Sequence, residues 1–408
     1  VRVSATLAAP VTASSNEPPS ARTHAVVAPV QIDPARILFV DSARSLEILL
    51  AALDEADDEI PLDTEADSFH HYFEKVCLIQ VAVGTRAFLV DPLVPGLDLS
   101  PLLERLGRRL LLLHGADYDI RLLHRGHAFA AAAIFDTMIA AQLLGEKEIG
   151  LAALLARRVG VALDKTNQRD DWSARPLSPA QTTYAAADVV FLRALVDSMR
   201  SDLDRLGRLE WHREECERLL RSPLDGREKD PENDWRIKGT NAMTSRERAF
   251  VRALWEVREA RAREIDRPPF RVLTNERLLV AARALARGET AVDALFPGRP
   301  LPAALATDVA AAVRSAAALP APYWPGPKRG EVFAPDPALE KEVARLKDRR
   351  DALATSLTLE PGFLASRAVL TAAARLVLRT GRLESEALVS EAGLSRWRAE
   401  LLASAGRE

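Results

Sequence analysis

The segment IPLDTEAD, Ile60 to Asp67, constrains this chain more than any other stretch. An apolar lead-in followed by two acids one residue apart reads as a buried strand ending in carboxylates, and alternate side chains of a strand share a face. Asp63 and Glu65 therefore point the same way. Two carboxylates side by side on a rigid element repel each other unless a cation or a shared proton lies between them. The stretch is either a solvated strand end or half of a metal site, and acids arriving from other segments decide which.

With 408 residues, 48% of them hydrophobic, the chain can bury a sizeable core divided into two or three domains. No run of about 18 apolar residues occurs, which argues against a transmembrane helix and for a soluble protein with no membrane partner. Residues 1–35, rich in Ala, Ser, Pro and Val, lack the compact apolar core and basic start of a targeting signal and read as a flexible leader. Cys77 and Cys216 are far apart and in no CxxC pattern, so neither a disulfide framework nor a thiolate zinc site is expected, and a cytoplasmic setting fits. Charge is divided unevenly. Between Arg36 and Glu215 the balance is -9, whereas between Trp235 and Arg314 it is +6. A basic module tethered to an acidic one suits a polyanion held by the second while the first carries bound metal; an Arg-rich composition without functional asymmetry is the plainer reading.

Periodicity divides residues 36–220 into strands at ILFV (Ile37 to Val40), IPLDTE, Val76 to Val83, Ala87 to Pro92 and Leu110 to Gly115, with a helix at Ser45 to Leu53. Helices then dominate: Asp136 to Gly145, Leu151 to Gly160, and one long stretch from Ser178 to about Leu220. This pattern predicts an α/β domain built on a mixed sheet. Residues 221–234 are polar with Pro and Gly and read as a linker, 235–318 as an all-helical domain, 319–337 as a Pro-rich linker, and 338–408 as a further small helical domain. The two helical blocks could be distant copies of one module.

Candidate partners for Asp63 and Glu65 come from two segments. In LLLLHGADYDIRLL, Asp117 and Asp119 both lie near a helix N-terminus, where an acid is also favoured by capping and by the helix dipole. In QTTYAAADVVFL, Tyr184 and Asp188 lie four residues apart and so share one helix face beside the small residues Ala185, Ala186 and Ala187. Four carboxylates and a phenol from three segments suit two hard divalent cations, Mg2+ or Mn2+, which would activate water and stabilise the leaving oxygen of a phosphodiester. A phenol with a pKa near 10 is a poor base at neutral pH, so Tyr184 is assigned to orienting a metal-bound water.

Taken in order, IPLDTEAD, LLHGADYDIRLL and DWSARPLSPAQTTYAAADVVFL resemble the three exonuclease motifs of the ribonuclease D family, in the DEDD superfamily of 3′-to-5′ exonucleases. The resemblance spans roughly Ile37 to Leu206 and implies a ribonuclease H-like mixed-sheet exonuclease domain over residues 36–220. By position it implies that Asp63, Glu65, Asp119 and Asp188 bind the metals. It prefers Asp119 to Asp117, because the family's second acid lies five residues after the strand-end His, here His114. Tyr184 matches the tyrosine subclass; the histidine subclass would place its His where Thr183 stands. In the HHYFEK segment, His70 and His71 are read as an exposed turn, with substrate contact the alternative.

WRIKGTNAMTSRERAFVRALWEVREARAREIDRPPFRVLTNERLLVAAR, Trp235 to Arg283, resembles the helicase-and-RNase-D C-terminal (HRDC) module, and the tail from about Ala338 resembles a diverged second copy. Arg236, Lys238, Arg246 and Arg248 are candidate phosphate contacts, with Arg252, Arg258, Arg261 and Arg263 behind them. The resemblance implies a metal-dependent 3′-to-5′ exoribonuclease that acts on RNA with a free 3′ end, tRNA precursors above all, and releases nucleoside 5′-monophosphates. No obligate protein partner is evident. A DNA exonuclease on the same fold and a catalytically silent nucleic-acid-binding scaffold are the alternatives.

Overall fold

The computed structural model describes residues 32–164, 166–222, 230, 232–298, 300–326 and 336–404. The expected leader lies outside them except for its last four residues, as does much of both expected linkers.

The α/β unit runs β1 (Ile37–Val40), α1 (Ala43–Asp54), β2 (Glu59–Ala66), β3 (Val76–Val83), β4 (Arg86–Val90), α2 (Ser100–Gly107), β5 (Leu110–Leu113), α3 (Asp117–His127), β6 (Ala133–Asp136), α4 (Thr137–Leu143), α5 (Leu151–Arg158), α6 (Pro179–Val190), α7 (Leu192–Arg205) and α8 (Leu209–Arg221). Six strands form one sheet in the order β1-β4-β3-β2-β5-β6. The central β2-β3-β4 meander is antiparallel, and β1, β5 and β6 join it parallel to their neighbours, so the sheet is mixed as the sequence predicts.

Both faces of this sheet are covered, which is why β3 is buried almost from end to end. On one face Ile60 and Leu62 of β2, Ile79 and Val81 of β3, and Phe88 and Val90 of β4 pack against leucines of α1 and α2 and against Ile120 and Leu123 of α3. The opposite face is lined by small side chains. Ala82 and Ala87 lie against Ala186, Ala187 and Val189 of α6, and Leu78 and Leu89 against Ala185 and Trp172. Where alanine meets alanine, little bulk separates α6 from the strands.

Two features differ from the sequence expectation. The four-residue edge strand β6 is not among the expected strands, and its last residue, Asp136, falls within an expected helix. The long helical stretch from Ser178 is three helices, broken at Phe191 and again at Gly207, whose φ of +65° suits the missing side chain.

The helical region falls into two units of matching layout. In the first, α9 (Ser245–Glu264) leads to the one-turn α10 (Pro269–Val272), then α11 (Asn275–Ala286), α12 (Val292–Leu295) and α13 (Ala303–Ala318); in the second, α14 (Pro337–Leu357) leads to the one-turn α15 (Pro361–Leu364), then α16 (Arg367–Thr380), α17 (Ser385–Ala392) and α18 (Arg396–Ser404). The likeness reaches individual atoms. Arg258, buried on α9, donates to the Leu273 carbonyl and pairs with Glu259, while Arg350, buried on α14, donates to the Ala365 carbonyl and pairs with Asp351. Each counterpart lies 92 positions further on (258 to 350, 273 to 365), and the same step relates Pro269 to Pro361, the helix caps Thr274 and Ser366, and the core residues Leu254, Leu278 and Ala282 to Leu346, Leu370 and Ala374.

Each unit docks on the α/β unit through the corner after its long helix. These corners carry Asp266 and Thr358, 92 positions apart and both at positive φ. The Thr358 carbonyl presses on Gly145 so closely that a Cβ there would lie 2.1 Å from it. Around that contact Trp397 stacks on Trp211 with ring centroids 4.5 Å apart and donates its indole N–H to Glu215, while Arg208 donates to the Leu357 carbonyl. Asp266 instead grips the turn that follows β2: it accepts from the Tyr72 and Phe73 amides and pairs with His71 at 2.7 Å, while Arg267 and Arg271 donate to the His70 and Phe69 carbonyls.

Candidate active site

Asp63 and Glu65 stand on the face of β2 that α6 covers. Their cross-strand partners on β3 are Gln80 and Leu78, and a β-bulge at Glu65/Ala66 bends the strand end at that point. Asp67 closes the acidic stretch differently: fully buried, it pairs with Lys75 at 2.6 Å, accepts from the Lys75 amide, and so ties down both ends of the 67–75 loop.

The Ser178 hydroxyl caps α6, with Gln181 completing the reciprocal bond and Pro179 in the first turn. The segment before it is anchored by Arg175, whose guanidinium spans both oxygens of buried Asp91, at 2.5 and 2.7 Å, and reaches the Cys77 carbonyl. Fixed in this way, α6 brings Asp188 to β2. Ligand oxygens of Asp63, Glu65 and Asp188 all lie within 4.8 Å of one another, the only such acid, His or Cys group found among the described residues. Tyr184, one turn before, lines the same cavity as Asp188 and lowers its proton affinity, and its ring packs 5.9 Å from that of Trp172.

Asp119 reaches the same place from the other side of the sheet. Its helix, α3, covers the opposite face, and the acid comes over the strand end, where Thr64, alternating between Asp63 and Glu65, donates to it at 2.5 Å. The turn before α3 is set by Asp136, which sequence reasoning passed over within FDTM. This buried carboxylate accepts from the amides of Gly115, Ala116, Met138 and Ile139, so it caps α4 and fixes the entry to α3 together. Gly115 stands at φ +77°, and a Cβ there would crowd Met138 at 2.9 Å. Beside it, Thr137 gives its hydroxyl proton to the Leu113 carbonyl and so accepts from His114 Nδ1, which leaves His114 Nε2 as an acceptor.

These groups line one cavity of about 420 Å3, bounded by Asp63, Glu65, Asp119, Asp188, Tyr184 and His114. Withdrawal from water raises the four acids that converge there. Burial, then the Asp188 charge, holds Asp63 well above the usual carboxylate range; burial and the neighbouring acids push Glu65 up to about 10; burial, then Asp63, raises Asp119; burial takes Asp188 to about 7 against the lowering effect of the Tyr184 hydrogen bond. Tyr184 is raised as well, by burial and then by Asp188, so it stays a protonated phenol. Four carboxyls that cannot all ionise together by themselves, with no Lys or Arg among the described residues that line the cavity, form a donor set that fits divalent cations.

The expected phosphate contacts divide. Arg248 is only 5% exposed, its guanidinium committed to the Met243 and Pro325 carbonyls and to Ser245, so it holds the first helical unit together and is withdrawn as an RNA contact. Arg236, stacked on Trp235 and bonded to Asn233 and the Gly326 carbonyl, is likewise engaged. Lys238 and Arg246 are exposed. Buried Arg258 is structural, and Arg252, Arg261 and Arg263 are paired with Glu232 and Glu256, with Glu264 and with Tyr72 respectively. His70 and His71 sit on no free turn: His70 meets the Arg169 carbonyl, and His71 bridges Asp266 and Ser173.

Residues 37–204 match the family model of a 3′-5′ exonuclease, and residues 247–296 match that of the HRDC domain. The ribonuclease D of Gluconacetobacter diazotrophicus is 36% identical over 298 residues, covering 71% of this chain and 74% of that protein. That of Granulibacter bethesdensis is 31% identical over 349 residues, covering 84% and 85%. The crystal structure of Escherichia coli RNase D, described as an exoribonuclease involved in structured RNA processing, superposes with a TM-score of 0.66 at 26% identity, covering 90% of this chain and 97% of that one. Because these alignments are too long to fit within the exonuclease domain alone, the relationship extends into the helical region, and the chain belongs to the ribonuclease D family.

Proposed function

We propose that the protein is a 3′-to-5′ exoribonuclease that removes nucleotides singly from structured RNAs, tRNA precursors among them, and releases nucleoside 5′-monophosphates. The observation that carries this reading is the meeting of Asp63, Glu65 and Asp188 within 4.8 Å, with Tyr184 and Asp119 lining the same cavity.

In this reading Asp63, Glu65, Asp119 and Asp188 hold two Mg2+ or Mn2+ ions. When bound, such ions activate an attacking water and stabilise the leaving oxygen. Tyr184 does not act as a base. A protonated phenol on the cavity wall beside Asp188, it orients the water that attacks the terminal phosphodiester. The names of the relatives support RNA as the polymer. Lys238 and Arg246, exposed on the first helical unit, are the remaining candidates to grip the body of the RNA. The enzyme acts in the cytoplasm without an obligate protein partner; among the described residues no helix is long and apolar enough to cross a membrane.

Purified protein given Mg2+ and single-stranded RNA labelled at its 3′ end should release mononucleotides, and Asp63→Ala should release none. Equal activity in the variant would sink the assignment. The same assay with matched DNA decides the polymer: DNA cleaved as well as RNA would replace this reading with a DNA exonuclease.

A further inference from the structure

Gln80 lies at the centre of the sheet, fully buried, and neither its Oε1 nor its Nε2 has a hydrogen-bond partner. A buried primary amide with nothing to bond is destabilising, so both its place and its polarity call for an explanation. Its place is specific. Gln80 is the direct cross-strand partner of Asp63 in the antiparallel register, so the two side chains rise from the same face of the sheet, with β-carbons about 5 Å apart by sheet geometry. The other neighbours on that face, Leu78 two residues before it and Leu89 across on β4, are apolar and offer no bond. The indole N–H of Trp172, packed on the same two leucines, is also unpartnered.

We propose that Gln80 is a positioning residue for the metal site: its amide N–H donates to the Asp63 carboxylate when that carboxylate ligates a cation, fixing the rotamer and the oxygen that Asp63 presents. The inference rests on the reading of Asp63 as a metal ligand. An N–H donor suits a carboxylate that is ionised and oriented by a cation, and outer-shell partners of this kind typically contribute 10- to 100-fold in metal affinity. It also accounts for a fully buried amide that otherwise has no hydrogen-bond partner.

The experiment is Mn2+ titration by calorimetry, with thermal unfolding in EDTA, on the full chain and on Gln80→Met, which keeps the length of the side chain and removes both polar atoms. Mn2+ affinity should fall 10- to 100-fold while the unfolding temperature in EDTA stays equal or rises, because nothing satisfied has been lost. A merely structural glutamine predicts the reverse: lower stability in EDTA and unchanged affinity. Gln80→Leu is read in the same way should the methionine variant fail to fold, and failure of both would overturn the proposal by showing that the amide is already satisfied without metal. If wild type binds Mn2+, Asp63→Asn abolishes binding and Gln80→Met binds like wild type, the positioning role alone is lost; if wild type does not bind Mn2+, the metal-site reading itself falls.

Discussion

The metal-free protein should lose stability as pH rises from 4 to 7, and Asp188 should account for much of the loss. Only 6% exposed and set beside Asp63 and Glu65, Asp188 is raised from the ordinary 3.8 to about 7 by burial, with the Tyr184 hydroxyl opposing the rise. A carboxyl that holds its proton more tightly in the folded state stabilises the fold while protonated. The contribution is therefore complete below the unfolded value near 3.8, is lost as pH rises towards 7, and stays lost above it. At about 1.4 kcal/mol for each tenfold in proton affinity, the loss is on the order of 4 kcal/mol, or roughly 10 °C in the unfolding temperature of a domain this size. Thermal unfolding in EDTA between pH 4.5 and 8 measures it. The informative quantity is the difference between wild type and Asp188→Asn, since asparagine has no proton to lose and the titrating groups outside the cavity are common to both. Tyr184→Phe removes the hydroxyl that lowers Asp188 and should extend the loss to higher pH. Added Mn2+ should restore stability at pH 8 in wild type and not in Asp188→Asn. Parallel pH profiles of wild type and Asp188→Asn in EDTA would refute the reasoning.

Two further expectations concern the supports of the site. Asp136→Ala strands four buried or half-buried amides and should cost about 3–5 kcal/mol in urea unfolding, whereas Asp136→Asn, which keeps one acceptor oxygen, should cost about 1–2 kcal/mol; equal costs would show that the carboxylate does not set this turn. Asp266→Ala should release the turn after β2, read as faster hydrogen exchange at the Tyr72 and Phe73 amides with exchange in β3 unchanged; unaltered protection at 72 and 73 would mean that the docking does not depend on this acid.

What could be read from the sequence, and what could not, follows from the range of the forces involved. Alternation along IPLDTEAD put Asp63 and Glu65 on one face, and the four-residue step put Tyr184 and Asp188 on one helix face; both are local geometry, and the structure places the residues so. The edge strand β6 was missed because four residues at a sheet margin carry too short a pattern to separate from the helix that follows. The buried arginines were missed for a different reason. Arg248, Arg258 and Arg350 look like solvated helix charges until their carbonyl partners, 5 to 77 residues away, are folded against them. The same distance in sequence hid the role of the Ala185 to Ala187 run, whose smallness serves contact with Ala82, Ala87 and Leu89 on the sheet beneath.

That packing also explains why the acids alone would not have been a sufficient signal. The site lies at a strand end where the two covered faces of the sheet meet: Asp188 reaches it because an alanine face lets α6 lie close, and Asp119 because Asp136 and Gly115 turn α3 over the edge from the other side. Four like charges in one cavity destabilise the fold that brings them together, so their convergence requires supports that do not depend on the acids themselves. The Arg175–Asp91 clamp before α6, the Asp136 turn before α3 and the Asp67–Lys75 closure after β2 are such supports, one beside each motif, and each holds its segment whether or not a cation is bound.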